Sequence, residues 1–378
     1  MFLSTLVLIL VAISFLGAFL RTTPLTLLGA IVTALATWFV VLTLVAAAAY
    51  LWAAGLRKRA WTTVVALIAL FALSEAAVIE INLSRTARKN GVAVSALQSF
   101  ELPDFATTNG VTTVPYRTFD GVPLNLTIRR PKVVTGGQPS PILIYVHGGG
   151  WVSGRAEGRH ADLDWFAGKG WLVFAVDYSL STKERHLWDV TQAQVGCAMA
   201  WVGAHAAEFG GNLSHLYMLG ESAGGNLVIN VSYMANADRL MSSCGGSVPH
   251  VSAVVSLYPV IDPADFYRNP DPIMGPSARS MASQYTGGSP EQYPERYRTI
   301  SSASYLTPGA PPTMLIVGEN DTLVPPEPTY AFAQQAKSEG VAVELVRVPY
   351  MNHAFDVIPH TLGNQLSRNG SAGFMQRH

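Results

Sequence analysis

The sequence predicts an α/β fold, a mostly parallel central sheet with helices on both faces, preceded by about three transmembrane helices. Three observations predict it. From about Val111 onward, short apolar and β-branched runs alternate with stretches of helical spacing, the pattern that builds a parallel sheet covered on both faces. A strand-turn-helix signature, Leu216 to Asn226, lies in the middle of that alternation. Residues 1–83, by contrast, are nearly uncharged and fall into three long apolar runs.

Those runs are Phe2 to Leu20, Leu25 to Leu56, and Ala60 to about Ile79. Each is long enough to cross a hydrocarbon core of about 30 Å as a helix. Arg21-Thr22-Thr23-Pro24 separates the first two and Arg57-Lys58-Arg59 the second and third. Trp38, Tyr50, Trp52 and Trp61 supply candidate interface anchors. The first run lacks a basic leader and a small-residue cleavage site, so it reads as a retained helix and not as a signal peptide. These runs explain why only 13% of the 378 residues are charged and why mean hydropathy is +0.26. The formal net charge is zero, which offers nothing to a nucleic-acid partner.

The expected location is therefore an integral membrane protein of the plasma membrane. Three spans place the termini on opposite sides. Arg57, Lys58 and Arg59 favour a cytoplasmic loop and an external C-terminal domain; Arg21, Arg85, Arg88 and Lys89 argue the reverse. The only two cysteines, Cys197 and Cys244, either pair in an oxidising compartment or remain as buried thiols. The balance leans to an extracytoplasmic domain.

Residues 84–110 read as a polar connector. Val111 to Phe119 and Leu124 to Arg130 are strands joined by the hairpin signal Asp120-Gly121. After the loop Gly136 to Pro141, the continuous apolar run Ile142 to Val146 suits a central strand. Trp171 to Val176 is a strand and Leu187 to Glu208 a helix. Leu216 to Leu219 is a strand, and a helix runs from about Gly224 to Ala237. Val251 to Leu257 is another strand. Residues 262–312 are irregular and rich in Pro, Tyr and Ser, a candidate cap or insert. Thr313 to Val317 is a strand, Pro326 to Gly340 a helix and Val341 to Val348 the last strand. The α/β domain thus spans 111–361, and 362–378 reads as a loose polar tail.

The chemistry gathers at three places. Gly220-Glu221-Ser222-Ala223-Gly224 fits a nucleophile elbow, in which a strained turn lifts the Ser222 hydroxyl above the sheet edge. A Cβ at Gly220 or Gly224 would collide with the neighbouring strand or helix. A serine needs a base, and His353, just past the last strand, is the best placed of nine histidines. The imidazole needs an acid to fix its tautomer. Asp321 follows the penultimate strand, with Glu319 and Asp356 as competitors. The tetrahedral intermediate needs amide donors. His147-Gly148-Gly149-Gly150 directly follows a strand, so the N–H groups of Gly149 and Gly150 can serve, with Ala223 as the third. No Gly-Lys-Ser/Thr follows the glycines, which disfavours a phosphate loop.

Together these residues resemble the α/β-hydrolase superfamily, and more narrowly the hormone-sensitive-lipase-like carboxylesterases and their bacterial feruloyl-esterase-like relatives. The resemblance rests on His147 to Trp151, Asp177-Tyr178-Ser179-Leu180, Gly220 to Asn226, Asp321 and Asn352-His353-Ala354-Phe355, in family order. Several actinobacterial lipases of that family similarly carry apolar N-terminal spans. The chain departs from the family's Asp-Tyr-Arg-Leu-Ala-Pro at Asp177 to Thr182, and the family's N-terminal cap helices have no clear counterpart. The resemblance implies a serine carboxylesterase or lipase acting on a small ester or lipid through Ser222, Asp321 and His353, with no metal or organic cofactor and no stated oligomeric order. Trp151, Tyr258, Phe266, Tyr285, Tyr293 and Tyr297 are candidates to line an acyl pocket, or else ordinary core. An acyltransferase, an amidase of the kynurenine-formamidase type, and a catalytically silent binding module remain as alternatives.

Overall fold

The computed structural model describes residues 2–20, 23–54, 59–102, 110–133 and 137–378. The separators Arg21-Thr22 and Arg57-Lys58, and Gly136 of the predicted loop, lie outside these residues. The chain divides into two compact units. One holds residues 1–103, 318–322 and 347–370, and the other holds 104–317, 323–346 and 371–378.

The first unit is built on four helices: α1 (Phe2–Leu20), α2 (Thr23–Ala34), α3 (Ala36–Ala54) and α4 (Arg59–Lys89). α1, α3 and α4 are long and apolar enough to cross a membrane. The second apolar run is thus not one span: it breaks at Leu35 into α2 and α3. Composition alone could not place this break, since no Gly or Pro marks it. The third helix is longer than expected and absorbs the start of the predicted connector. Ser84 to Lys89 continue α4, and Arg88 and Lys89 in its last turn favour the negative end of the helix dipole. Inside the bundle, Leu8, Ala46, Tyr50, Val65 and Ala69 pack as an apolar cluster. Thr37 Oγ1 donates to Glu80 Oε1 at 2.8 Å. Other apolar side chains face outward, among them Leu10, Leu44, Leu67, Leu70 and Phe71. Trp52 and Trp61, near the facing ends of α3 and α4, are the most exposed aromatic residues of these helices at 90% and 62%.

The second unit carries the sheet. Its strands are β1 (Val111–Phe119), β2 (Val122–Arg129), β3 (Ser140–Val146), β4 (Leu172–Val176), β5 (Gly211–Glu221), β6 (Ala253–Leu257), β7 (Thr313–Gly318) and β8 (Val343–Val348). Their spatial order is β1-β2-β4-β3-β5-β6-β7-β8. β1 pairs antiparallel with β2, and β2 with β4; β4, β3, β5, β6 and β7 are parallel neighbours. β3, β4, β6 and β7 are apolar runs because both faces of a parallel sheet are covered. The covering helices are α5 (His160–Gly168), α6 (Thr191–His205), α7 (Ala223–Asn236) and α11 (Glu327–Ser338). α6 is shorter than predicted and passes into a single turn of 3₁₀-helix at Ala206–Phe209.

Residues 262–312, irregular by sequence, form three short helices between β6 and β7: α8 (Pro263–Tyr267), α9 (Gly275–Thr286) and α10 (Pro294–Ile300). Asp262 caps α8, its Oδ1 accepting from the Ala264 amide at 2.8 Å. Cys197 on α6 and Cys244 form a disulfide, which resolves the alternative left by the sequence. The polar tail is not loose. Residues Leu362–Arg377 form helix α12, and Leu366, Ser371, Phe374 and Met375 are buried. Polar composition misleads here because small residues let the helix pack: a Cβ on Gly363 would stand 2.9 Å from the Phe355 ring.

Candidate active site

The elbow is built from backbone. Ser222 has φ +53° and ψ −118° at the junction of β5 and α7, a conformation that persists only when its surroundings enforce it. Its amide donates to Leu257 O on β6 at 2.9 Å, and its carbonyl accepts from the amides of Asn226 and Val260 at 3.1 and 3.3 Å. A Cβ on Gly220 would sit 2.3 Å from Gly224 O, and one on Gly224 2.2 Å from Val146 O. The two motif glycines are therefore required by close approach of β3, β5 and α7. Asn226 and Asn230, fully buried on α7, both donate to Ile300 O at the end of α10.

The glycine turn after β3 lies against the elbow. A Cβ on Gly148 would be 3.2 Å from Ser222 Cβ. Gly149 and Gly150 take φ of +106° and +60°, and among the described residues their amides donate to no acceptor. The Ala223 amide opens α7, where the helical ladder has no use for it. His147 braces the turn. Its ring stacks on Tyr178 at 4.3 Å, its Nδ1 is 2.7 Å from Gly148 O, and the Tyr178 hydroxyl donates to His147 O at 3.0 Å. Burial lowers the His147 pKa from its usual 6.5, which keeps the ring neutral.

Sequence reasoning missed a buried network around Glu221, the residue before the nucleophile. Its Oε1 accepts from Tyr145 at 2.9 Å, and its Oε2 from Arg159 and Tyr258 at 3.0 and 3.1 Å. Arg159 also pairs with Asp162 at 2.7 Å. Burial, with the Glu221 carboxylate beside it, pushes the Tyr145 hydroxyl well up, so it stays a donor. Only the position of Glu221 inside the motif could have signalled this; Arg159 lies too far off in sequence.

Of the candidate pocket residues, Trp151, Tyr258, Phe266, Tyr285 and Tyr297 are buried, and Tyr293 is half-buried with Arg296 over its ring at 3.9 Å. Trp151 stacks on Tyr285 with centroids 4.5 Å apart and meets Phe266 edge-on at 6.2 Å. The Tyr285 hydroxyl is bonded to Thr191 Oγ1, and Tyr258 is held by Glu221. Trp151, Phe266, Tyr285 and Tyr297 belong to the apolar core. Phe266 also edges a small cavity with Val324 and Pro328.

In the other unit, Asp321 and His353 meet. His353 Nδ1 lies 2.7 Å from Asp321 Oδ2, and the Asp321 side chain is 1% exposed against 14% for the imidazole. With Nδ1–H directed at the carboxylate, Nε2 is left as the basic nitrogen. Asn352, quoted in the sequence motif without a role, clamps the two loops: its Oδ1 accepts from the Thr322 amide at 3.1 Å and the His353 amide at 2.7 Å. The loops are zipped by backbone as well, with Glu319 N donating to Val348 O and Asn320 N to Met351 O, each at 2.9 Å. The competitor Glu319 pairs with Arg347 at 2.8 Å. Asp356 is fully buried. Among the described residues no group of three or more His, Cys, Asp or Glu could hold a metal ion.

The BD-FAE family profile matches residues 126–336, more than half of the chain. The probable carboxylic ester hydrolase LipM of Mycobacterium tuberculosis is 29% identical over 232 residues, covering 61% of this chain and 52% of that protein. Esterase LipC of the same organism is 30% identical over 224 residues, covering 58% and 54%. The chain spans about half the length of these curated relatives. Among solved structures, the propionate-bound Est2 esterase of Thermogutta terrifontis superposes with a TM-score of 0.59 at 24% identity, over 73% of this chain and 96% of that one. The esterase LipW of Mycobacterium marinum gives 0.54 at 24%, over 77% and 83%. The chain therefore belongs to the BD-FAE family and has the α/β-hydrolase fold.

Proposed function

We propose that this chain is a membrane-anchored serine hydrolase that cleaves carboxylic esters. The observation that carries the reading is the elbow: Ser222 is held in a strained turn against glycine amides that, among the described residues, have no acceptor of their own. Ser222 Oγ attacks the ester carbonyl while His353 Nε2 takes its proton. Asp321 holds the imidazolium, and the amides of Gly149, Gly150 and Ala223 receive the oxyanion. The imidazolium then protonates the departing alkoxide, leaving an acyl-enzyme. Water, deprotonated by the same nitrogen, attacks the acyl carbonyl and frees Ser222. Each amide donor lowers the barrier by about 3 kcal/mol. The relatives named as esterases support this reaction class.

The apolar outward faces of α1, α3 and α4 support bilayer anchoring. The disulfide supports an oxidising, extracytoplasmic side for the sheet domain, with Arg57-Lys58-Arg59 cytoplasmic. The test is hydrolysis of p-nitrophenyl esters from acetyl to palmitoyl by the full chain in detergent. The native protein turns over part of that series, and Ser222→Ala removes the turnover. A Ser222→Ala protein that hydrolyses every ester at the native rate overturns the reading.

A further inference from the structure

The loops that carry Asp321 and His353 belong to the same compact unit as the four N-terminal helices, and Asn320 and Tyr350 bond them to those helices. Asn320, next to Asp321 in sequence, is 6% exposed. Its Nδ2 donates to Ala18 O at 2.7 Å. Ala18 lies in the last turn of α1, where carbonyls have no partner within the helix. Because the Asn320 amide donates at the same time to Met351 O, one residue joins the helix, the acid loop and the histidine loop.

The second residue is Tyr350, three positions before His353. It takes φ +65°, rare for a bulky residue. Its hydroxyl accepts from Asn82 Nδ2 of α4 at 3.1 Å, and its ring lies 5.0 Å from that of Phe19. The end of α1 that makes both contacts is itself fixed. A Cβ on Gly17 would stand 1.8 Å from Leu25 O, and one on Gly29 2.5 Å from Ala18 N. α1 and α2 are thus pressed backbone to backbone where the acid loop docks.

We propose that the membrane helices position the acid–base pair, with Asn320, Tyr350 and Asn82 as positioning residues in addition to the helices' role as an anchor. The inference rests on the assignment of Asp321 and His353 under Proposed function. A catalytic imidazole displaced by about 1 Å loses on the order of 100-fold in rate. Asn320 and Tyr350 hold the backbone on the sequence-proximal side of Asp321 and His353, where such a displacement would begin.

The test measures kcat and KM for p-nitrophenyl butyrate on full-length protein in detergent, with rates divided by the active-site concentration from exhaustive fluorophosphonate titration. Asn320→Ala is expected to lower kcat about tenfold, and Tyr350→Phe and Asn82→Ala about threefold each, with KM changed less than twofold. Combining Tyr350→Phe with Asn82→Ala is expected to cost no more than either alone, since both remove one hydrogen bond. A purely structural contact would lower the titratable fraction and leave kcat per site unchanged, and that result overturns the inference. If Asn320→Ala does not fold, the Tyr350 and Asn82 variants decide by the same criterion. His353→Ala separates the two levels: native-like activity in that variant overturns the reading of the site itself. An inactive His353→Ala with unchanged positioning variants overturns the inference alone.

Discussion

Ser222 is held by backbone, and His353 is held by side chains added to a backbone zipper. Around the serine, strands β3 and β5 and helix α7 approach so closely that Gly220 and Gly224 admit no Cβ, and the residue's own amide and carbonyl are bonded within the sheet domain. Around the imidazole, the work is done by Asp321, Asn352 and Thr322, with Asn320 and Tyr350 reaching back to α1 and α4. The difference teaches where each half can be damaged. The elbow admits almost no added volume at its two motif glycines; the acid–base loops are as close at Gly318, where a Cβ would stand 2.3 Å from Met351 O, and depend in addition on single polar groups.

The comparison breaks first at the carboxylate. Asp321→Asn is expected to lower kcat on the order of 10⁴-fold by turning the imidazole to the wrong tautomer. Glu319→Gln, whose parent is committed to Arg347, should stay within about twofold of native by the same steady-state assay. Equal losses in the two would show that the acid has been misassigned. On the other side of the comparison, Gly224→Ala places a Cβ about 2.2 Å from a backbone oxygen, and its cost should be about 3 kcal/mol of unfolding free energy. Urea denaturation followed by tryptophan fluorescence measures it, and a loss below about 1 kcal/mol would mean the elbow is looser than its packing indicates.

Asn352→Ala sharpens the contrast. It removes the clamp between the two loops without adding volume. It should cut kcat about 30-fold while the melting temperature falls by only a few degrees. The smallest effect belongs to His147. Its pKa is lowered in the folded protein by burial, so the unfolded chain binds more protons below the ordinary value of 6.5. Stability is therefore complete above that pH and declines as pH falls through the folded-state value. His147→Gln should flatten the acid side of a plot of melting temperature against pH, and an unchanged slope would remove His147 from the account.

How much was legible in the sequence follows the same division. The strand-turn-helix at Ser222 was legible because its requirements are local: two glycines, a serine and the apolar strand before them. The parallel core followed from alternation, though not the order of its strands, and the hairpin from Asp120-Gly121. Asp321 and His353 were legible by position, since each follows a strand. Their supports were not. Ala18 and Asn320, or Asn82 and Tyr350, are hundreds of residues apart, and no short-range pattern links them. Apolarity marked the long apolar helices without showing that the second run breaks at Leu35, because hydropathy counts residues and not hydrogen bonds. Aromatic richness could not separate pocket from core, and Trp151 and Tyr285 are stacked inside. Polarity made residues 362–378 look loose, when serines, glycines and an asparagine let α12 pack closely.

The most direct test of the central claim, that Ser222 and His353 act on one substrate, is the second-order rate of fluorophosphonate labelling of the full chain, with the modified peptide located by mass spectrometry. Label is expected on Ser222, none in Ser222→Ala, and the rate is expected to fall on the order of 10³-fold in His353→Ala. Labelling of His353→Ala at the native rate, or undiminished labelling of Ser222→Ala, would contradict it.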